Sequence, residues 1–119
     1  MKIKTQNLTG LELDWAVAKA EYGLTSDGSF LDGVVAHPNY SMYLPSLNWA
    51  QGGPIIERER ISIRPDTTTS DYRAFVIRPP EGLHHRYIGA TPLEAAMRCY
   101  VATKLGEEVE VPENLFSQP

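Results

Sequence analysis

Two segments of this chain open on a threonine with a glutamate three residues later and close on a glycine, and this pairing constrains the fold more than any other feature. Thr9-Gly10-Leu11-Glu12 and Thr91-Pro92-Leu93-Glu94 have the spacing of a capping box, in which the side chains satisfy the free N–H groups of a first helical turn. After the first box, Leu11, Trp15, Ala18 and Tyr22 recur on one helical face. Leu13, Val17 and Ala20 form a second apolar line, and Gly23 stops the segment. A helix with two apolar sides is expected to be covered on both. After the second box, Pro92 takes the favoured first helical position and the helix is expected to run to Leu105, before Gly106. Leu93, Met97, Tyr100, Val101 and Lys104 are expected on its inner side, with Cys99 roughly opposite Met97 as a packing or surface residue.

Strand signals are shorter. Met1–Thr5 alternates, with Lys2 and Lys4 guarding an edge. Ile55–Arg64 reads as a strand with Ile61 and Ile63 towards the core and Arg58, Arg60 and Arg64 towards solvent or a ligand. On such a strand Glu57 and Glu59 share a face, and cross-strand ion pairing with Arg73 or another strand is their expected role. A polar turn from Pro65 to Asp71 leads to a second strand, Tyr72–Ile77, which Pro79-Pro80-Glu81-Gly82 ends. Glu108–Val111 adds a short terminal strand. Residues 24–54 are rich in Gly, Pro, Ser and Asn and read as irregular, with short strands at 30–31 and 34–36. The expected architecture is α+β: two amphipathic helices packed on a small, mainly antiparallel sheet, with a long irregular loop. The helices are expected to meet the sheet through Trp15, Tyr22, Leu93, Met97 and Tyr100.

With 119 residues, 42% hydrophobic and 22% charged, the chain is expected to fold as one domain over 1–119, with a frayed tail at 113–119. No run approaches the length of a membrane span, the first residues show no apolar leader, and Cys99 is the single cysteine, so the cytoplasm is the expected compartment. A formal net charge of −4 disfavours sequence-independent nucleic-acid binding. Every arginine lies from position 58 onward, which gives the second half of the chain a surface suited to an anion unless neighbouring carboxylates balance it.

No phosphate loop, dinucleotide fingerprint, metalloprotease motif or zinc cysteine pair occurs. His84 and His85 point to opposite faces of an extended segment and are poorly placed to share a metal, and His37 with Asp32 is a weak acid–base pair. No cofactor, metal or catalytic residue is assigned. Candidate binding residues gather around the irregular loop and its exit. Tyr43 and Trp49 offer flat faces, Gln51, Gly52 and Gly53 a tight bend, and Arg58 and Arg98 guanidinium forks.

Three blocks carry a family resemblance. Asn48-Trp49-Ala50-Gln51-Gly52-Gly53-Pro54-Ile55-Ile56-Glu57-Arg58-Glu59 resembles the central block of the NinX-like phage proteins. The segments Leu13–Ala20 and Thr91–Ala102, the latter continued by Lys104–Val109, resemble that family's first and last helices. The resemblance implies a phage or prophage accessory protein of unknown biochemical activity, and it supplies no catalytic residues. The expected function is non-enzymatic binding of a host or phage protein. The alternative is binding of a small anionic ligand, nucleotide-like in kind, and a small hydrolase using Glu57 or Glu59 comes third. Self-association into a homo-oligomer is compatible with any of these.

Overall fold

The computed structural model describes residues 1–23, 43–78 and 82–111, with the side chains of Arg78 and of residues 82–85 outside the description. The short strands expected at 30–31 and 34–36, the His37–Asp32 pair and the tail at 113–119 lie outside the described residues. Strand β1 (Lys2–Lys4) leads through a single 3-10 turn (Thr5–Asn7) into helix α1 (Gly10–Tyr22). Helix α2 (Trp49–Glu59) is followed by β2 (Ser62–Pro65), β3 (Tyr72–Arg78) and β4 (Gly82–Gly89). Helix α3 (Pro92–Leu105) and β5 (Glu108–Glu110) complete the order. The α+β class is as expected, with two antiparallel sheets: a β1–β5 ribbon and a three-stranded sheet in the order β2–β3–β4.

Helix α3 is the centre of the molecule. It packs across β2, β3 and β4 on one side, and α1 and α2 seat on its other side. Its side chains are accordingly buried around most of the circumference: Leu93, Ala95, Ala96, Met97, Cys99, Tyr100, Val101 and Ala102. Lys104 departs from its expected inner place and is largely exposed, because the last turn passes the edge of the core. Helix α1 is covered on both apolar lines, with Leu13, Trp15, Ala16, Val17 and Ala18 buried. It meets α3 before the sheet. Tyr22, expected to face inward, is 55% exposed at the helix end, where its ring meets Tyr43 edge-on at 5.8 Å.

The second threonine caps its helix and the first does not, and Glu94 reaches back one residue beyond the cap. Thr91 Oγ1 accepts the N–H of Glu94 at 3.0 Å, and Glu94 Oε1 accepts the N–H of Ala90 at 2.8 Å. Thr9 occupies the cap position of α1 without capping it, and its hydroxyl donates to Glu94 Oε2 at 3.1 Å. One carboxylate thus ties the starts of both helices together.

The largest departure from the expected pattern is at 49–59, where the irregular end of the loop and most of the expected strand are one helix. Asn48 Oδ1 accepts the N–H of Ala50 at 2.8 Å, which caps it. At about 100° per residue, Gly52, Ile55, Ile56 and Glu59 share one side, and that side packs on α3. Pro54 sits inside the helix and forfeits the bond to Ala50. Gly52 allows the helix its close approach: a Cβ there would lie 2.4 Å from the Pro45 carbonyl oxygen and 2.7 Å from Leu93 Cδ2. Burial of the Gly52–Ile55 face outweighs the local signals for turn and strand. Only Ser62–Pro65 keeps the strand expectation, and there Ile63 does face the core side and Arg64 the other.

Helix α2 ends in a Schellman arrangement, with Arg60 N–H donating to Glu57 O at 3.3 Å and Ile61 N–H to Ile56 O at 3.1 Å. The residue in the left-handed conformation is Arg60, at φ 57°, ψ 46°, the one non-glycine residue among those described with positive φ. Glycine normally takes this position. Arg60→Gly is therefore expected to hold or raise stability, by up to about 1 kcal/mol, in a urea melt.

Strand β4 was not anticipated from sequence. It pairs with β3 through a bulge: Ala74 faces Tyr87 and Val76 faces His84, so two β4 residues, His85 and Arg86, oppose Phe75.

Candidate functional site

The seven residues singled out from sequence separate into different environments. Tyr43 is buried. Gln51 Oε1 accepts the N–H of Leu44 at 2.6 Å, and Gly52 is packed against the Pro45–Leu93 contact. These three hold the loop exit onto the domain. Trp49 is 56% exposed, and Gly53 lies beside its ring. Arg58 is nine residues from Trp49, half a turn away on the same helix, so the two do not share a face.

Arg58 belongs instead to a polar junction of the three helices. Its fork reaches Glu21, with Nη1 to Oε1 at 3.2 Å and Nη2 to Oε2 at 2.5 Å, and its Nε donates to Glu59 Oε2 at 2.8 Å. The Tyr100 hydroxyl donates to Glu21 Oε2, and Lys104 Nζ lies 3.6 Å from Glu59 Oε1. The guanidinium stands 5.8 Å from the Tyr100 ring centre. Burial pushes the Tyr100 hydroxyl well above its ordinary range, and the Glu21 bond adds to this. At Glu59 burial acts upward, but the Arg58 bond and Lys104 together prevail and hold the carboxyl below its ordinary value. On a helix Glu57 and Glu59 diverge by about 200°, so the shared carboxylate face expected of a strand does not exist. The expected pairing of these glutamates with Arg73 gives way to the Arg58 and Lys104 contacts of Glu59.

Arg98 is on the other side of α3 from Tyr100. Its Nε donates to Leu8 O at 2.8 Å and its Nη1 to Ile88 O at 2.6 Å. Burial lowers its basicity. It bolts the 3-10 turn to β4, as does Gln6, whose Nε2 donates to Ile88 O at 2.7 Å and whose Oε1 accepts Ile88 N–H at 3.0 Å.

Arg64, Arg73 and Arg86 gather instead on the outer face of the three-stranded sheet. The inner face, Ala74, Val76 and Tyr87, is buried under α3. Directly paired strand residues share a face, so the pairs Arg64–Arg73, Ser62–Phe75 and Arg73–Ile88 are all turned outward. Arg64, Arg73, Phe75 and Arg86, with Pro65 and Thr67, line a hollow of about 400 Å³. Ile77, 62% exposed, continues the face beyond Phe75.

Arg73 is aimed by its own turn. Its Nε donates to Asp66 Oδ1 at 2.6 Å. Asp66 Oδ2 accepts the hydroxyls of Thr68 and Thr69, each at 2.8 Å. The threonine bonds, with Arg73 adding to them, hold the Asp66 carboxyl far below its ordinary range, so Asp66 is an acceptor only. The terminal nitrogens of Arg73 remain open, and Arg64 and Arg86 have no acidic partner among the described residues. No group of three or more His, Cys, Asp or Glu able to hold a metal occurs among the described residues. Among the described residues, the hollow offers guanidinium forks around one aromatic ring.

One buried carboxylate lies apart from this face. Asp14, in α1, accepts the N–H of Ser46 at 2.8 Å through Oδ1, while Oδ2 is buried without a partner. Burial pushes its pKa up to about 6 against an ordinary 3.8, with the Ser46 bonds opposing. The folded state thus binds this proton more tightly than the unfolded chain. Its stabilising effect is complete below about pH 4 and is lost as pH climbs through about 6. Asp14→Asn keeps an oxygen acceptor and removes the charge. The variant is expected to gain roughly 1–3 kcal/mol over the parent at pH 8 and nothing at pH 4, in paired denaturant melts.

The family model of bacteriophage P22 NinX matches residues 4–104, and the chain belongs to this family of phage proteins. The resemblance carried by the three blocks of the sequence is thereby confirmed. No curated protein matches the chain. No helix among the described residues is long and apolar enough to cross a membrane.

Proposed function

We propose that this phage protein is a non-enzymatic binding protein whose ligand is a small phosphate-bearing molecule, held on the outer face of the β2–β3–β4 sheet. The observation that carries this reading is the set Arg64, Arg73 and Arg86 around Phe75. Arginine forks match phosphate oxygens two at a time, and an exposed ring favours a planar base. A hollow of about 400 Å³ falls within the ordinary range for small-molecule sites. Arg64 lies directly opposite Arg73 in the β2–β3 ladder, where like charges repel and gain nothing for the fold. An anionic ligand gives them a role.

Binding of a host or phage protein remains the second reading, favoured by one feature. Leu47 and Trp49 are both well exposed at the start of α2, and aromatic residues anchor protein interfaces. The test separates the two. Arg64→Ala with Arg86→Ala is expected to weaken binding of a fluorescent nucleotide monophosphate by about 100-fold, two charge-assisted contacts' worth, with the melting curve unchanged. Trp49→Ala is expected to leave that binding intact. The reverse pattern, with loss at Trp49 alone, contradicts the ligand reading.

A further inference from the structure

Resting on the ligand reading above, we infer that the ligand is a dinucleotide, because a second hollow adjoins the first where β2 begins. Arg58, Glu59, Arg60, Ser62, Val76 and Ile77 line a hollow of about 460 Å³. Ser62 lines this one and Phe75 the other, and the two residues are directly opposite in the β2–β3 ladder. Opposed residues have Cα atoms about 5 Å apart, so the hollows meet at this pair. In the second hollow Arg58 is committed to Glu21 and Glu59, and Glu59 is committed to Arg58 and Lys104. Arg60 has no acidic partner among the described residues and is the cation left to meet an anion there.

The backbone of Arg60 is the independent observation. It occupies a left-handed helix terminus that glycine fills at lower cost, and nothing in the fold rewards an arginine side chain there. Non-glycine residues held in this conformation cluster at functional sites. A ligand with one phosphate at Arg64–Arg73–Arg86 and a second at Arg60 uses both hollows, places one base at Phe75, and sets the other against Ile77. A long polymer fits the chain less well, since its net charge is −4.

The test is calorimetric titration of the full chain with three probes: adenosine 5′-monophosphate, 5′-phosphorylated ApA, and a ten-nucleotide single strand. Arg60→Gly is the decisive variant, because its backbone position suits glycine. It is expected to weaken the dinucleotide about 10-fold and to leave the mononucleotide within twofold, whereas Arg64→Ala weakens both. Equal dinucleotide affinity in the parent and Arg60→Gly overturns the dinucleotide assignment and leaves the ligand reading standing. Failure of Arg64→Ala to weaken either probe overturns both. Tenfold tighter binding of the ten-nucleotide strand than of the dinucleotide also overturns the assignment, in favour of a face that tracks a polymer.

Discussion

Gly89→Ala is expected to destabilise the protein by about 3 kcal/mol or more, the upper range for overpacking. A Cβ at residue 89 would lie 2.4 Å from the backbone nitrogen of Ala95 and 2.9 Å from its Cα. Both obstacles are main-chain atoms of α3, so no side-chain rotation relieves the clash. Relief requires the end of β4 to lift from the central helix. That movement also strains the bonds from Gln6 and Arg98 to Ile88. A urea melt at fixed pH checks the result, and a loss under 1 kcal/mol contradicts the packing described for β4 on α3. The same construction at Gly53 meets only Trp49 Cε3 at 3.9 Å. Gly53→Ala serves as the control and is expected to change stability little.

Met97→Ala is expected to cost about 2–5 kcal/mol, the range for a buried large-to-small change. Met97 is 0% exposed at the middle of α3, the helix that packs on the sheet, α1 and α2. The site is enclosed from several elements at once, which limits collapse into the space left behind. Leucine at the same position keeps most of the volume and is expected to cost less than about 1.5 kcal/mol. Chemical denaturation of the two variants side by side separates loss of volume from loss of the thioether.

How far the sequence was legible follows from which signals were local. Helix α3 was readable to its ends because Thr91, Pro92, Glu94 and Gly106 act within one turn of the backbone. Helix α1 was readable from its two apolar lines, although Thr9 does not cap it and Tyr22 faces solvent. Helix α2 was not readable, because Gly52-Gly53-Pro54 is ordinarily a turn and Ile55–Arg60 alternates in charge. What makes it a helix is Asn48 at one end and the non-local contact of Gly52 with Pro45 and Leu93. Strand β4 lacks clean alternation, since its bulge at His85–Arg86 breaks the period of two. Losing β4 hid the proposed site: Arg64 could be placed on an outward face from sequence, but its neighbours Arg73 and Arg86 come together only when three strands are aligned. Arg58 and Arg98, the arginines chosen from sequence, are the ones that tertiary contacts engage, through Glu21 and through Leu8 and Ile88.

The most direct test of the outer sheet face as the ligand site is a titration followed residue by residue in solution by amide and side-chain NMR shifts. The probe is 5′-phosphorylated ApA added to the full chain. The expected result is a saturable set of changes confined to Arg60, Ser62, Arg64, Arg73, Phe75, Ile77 and Arg86, with Trp49, Tyr43 and Arg98 unmoved. Saturable changes centred on Trp49 and Leu47, with the sheet arginines unmoved, contradict it.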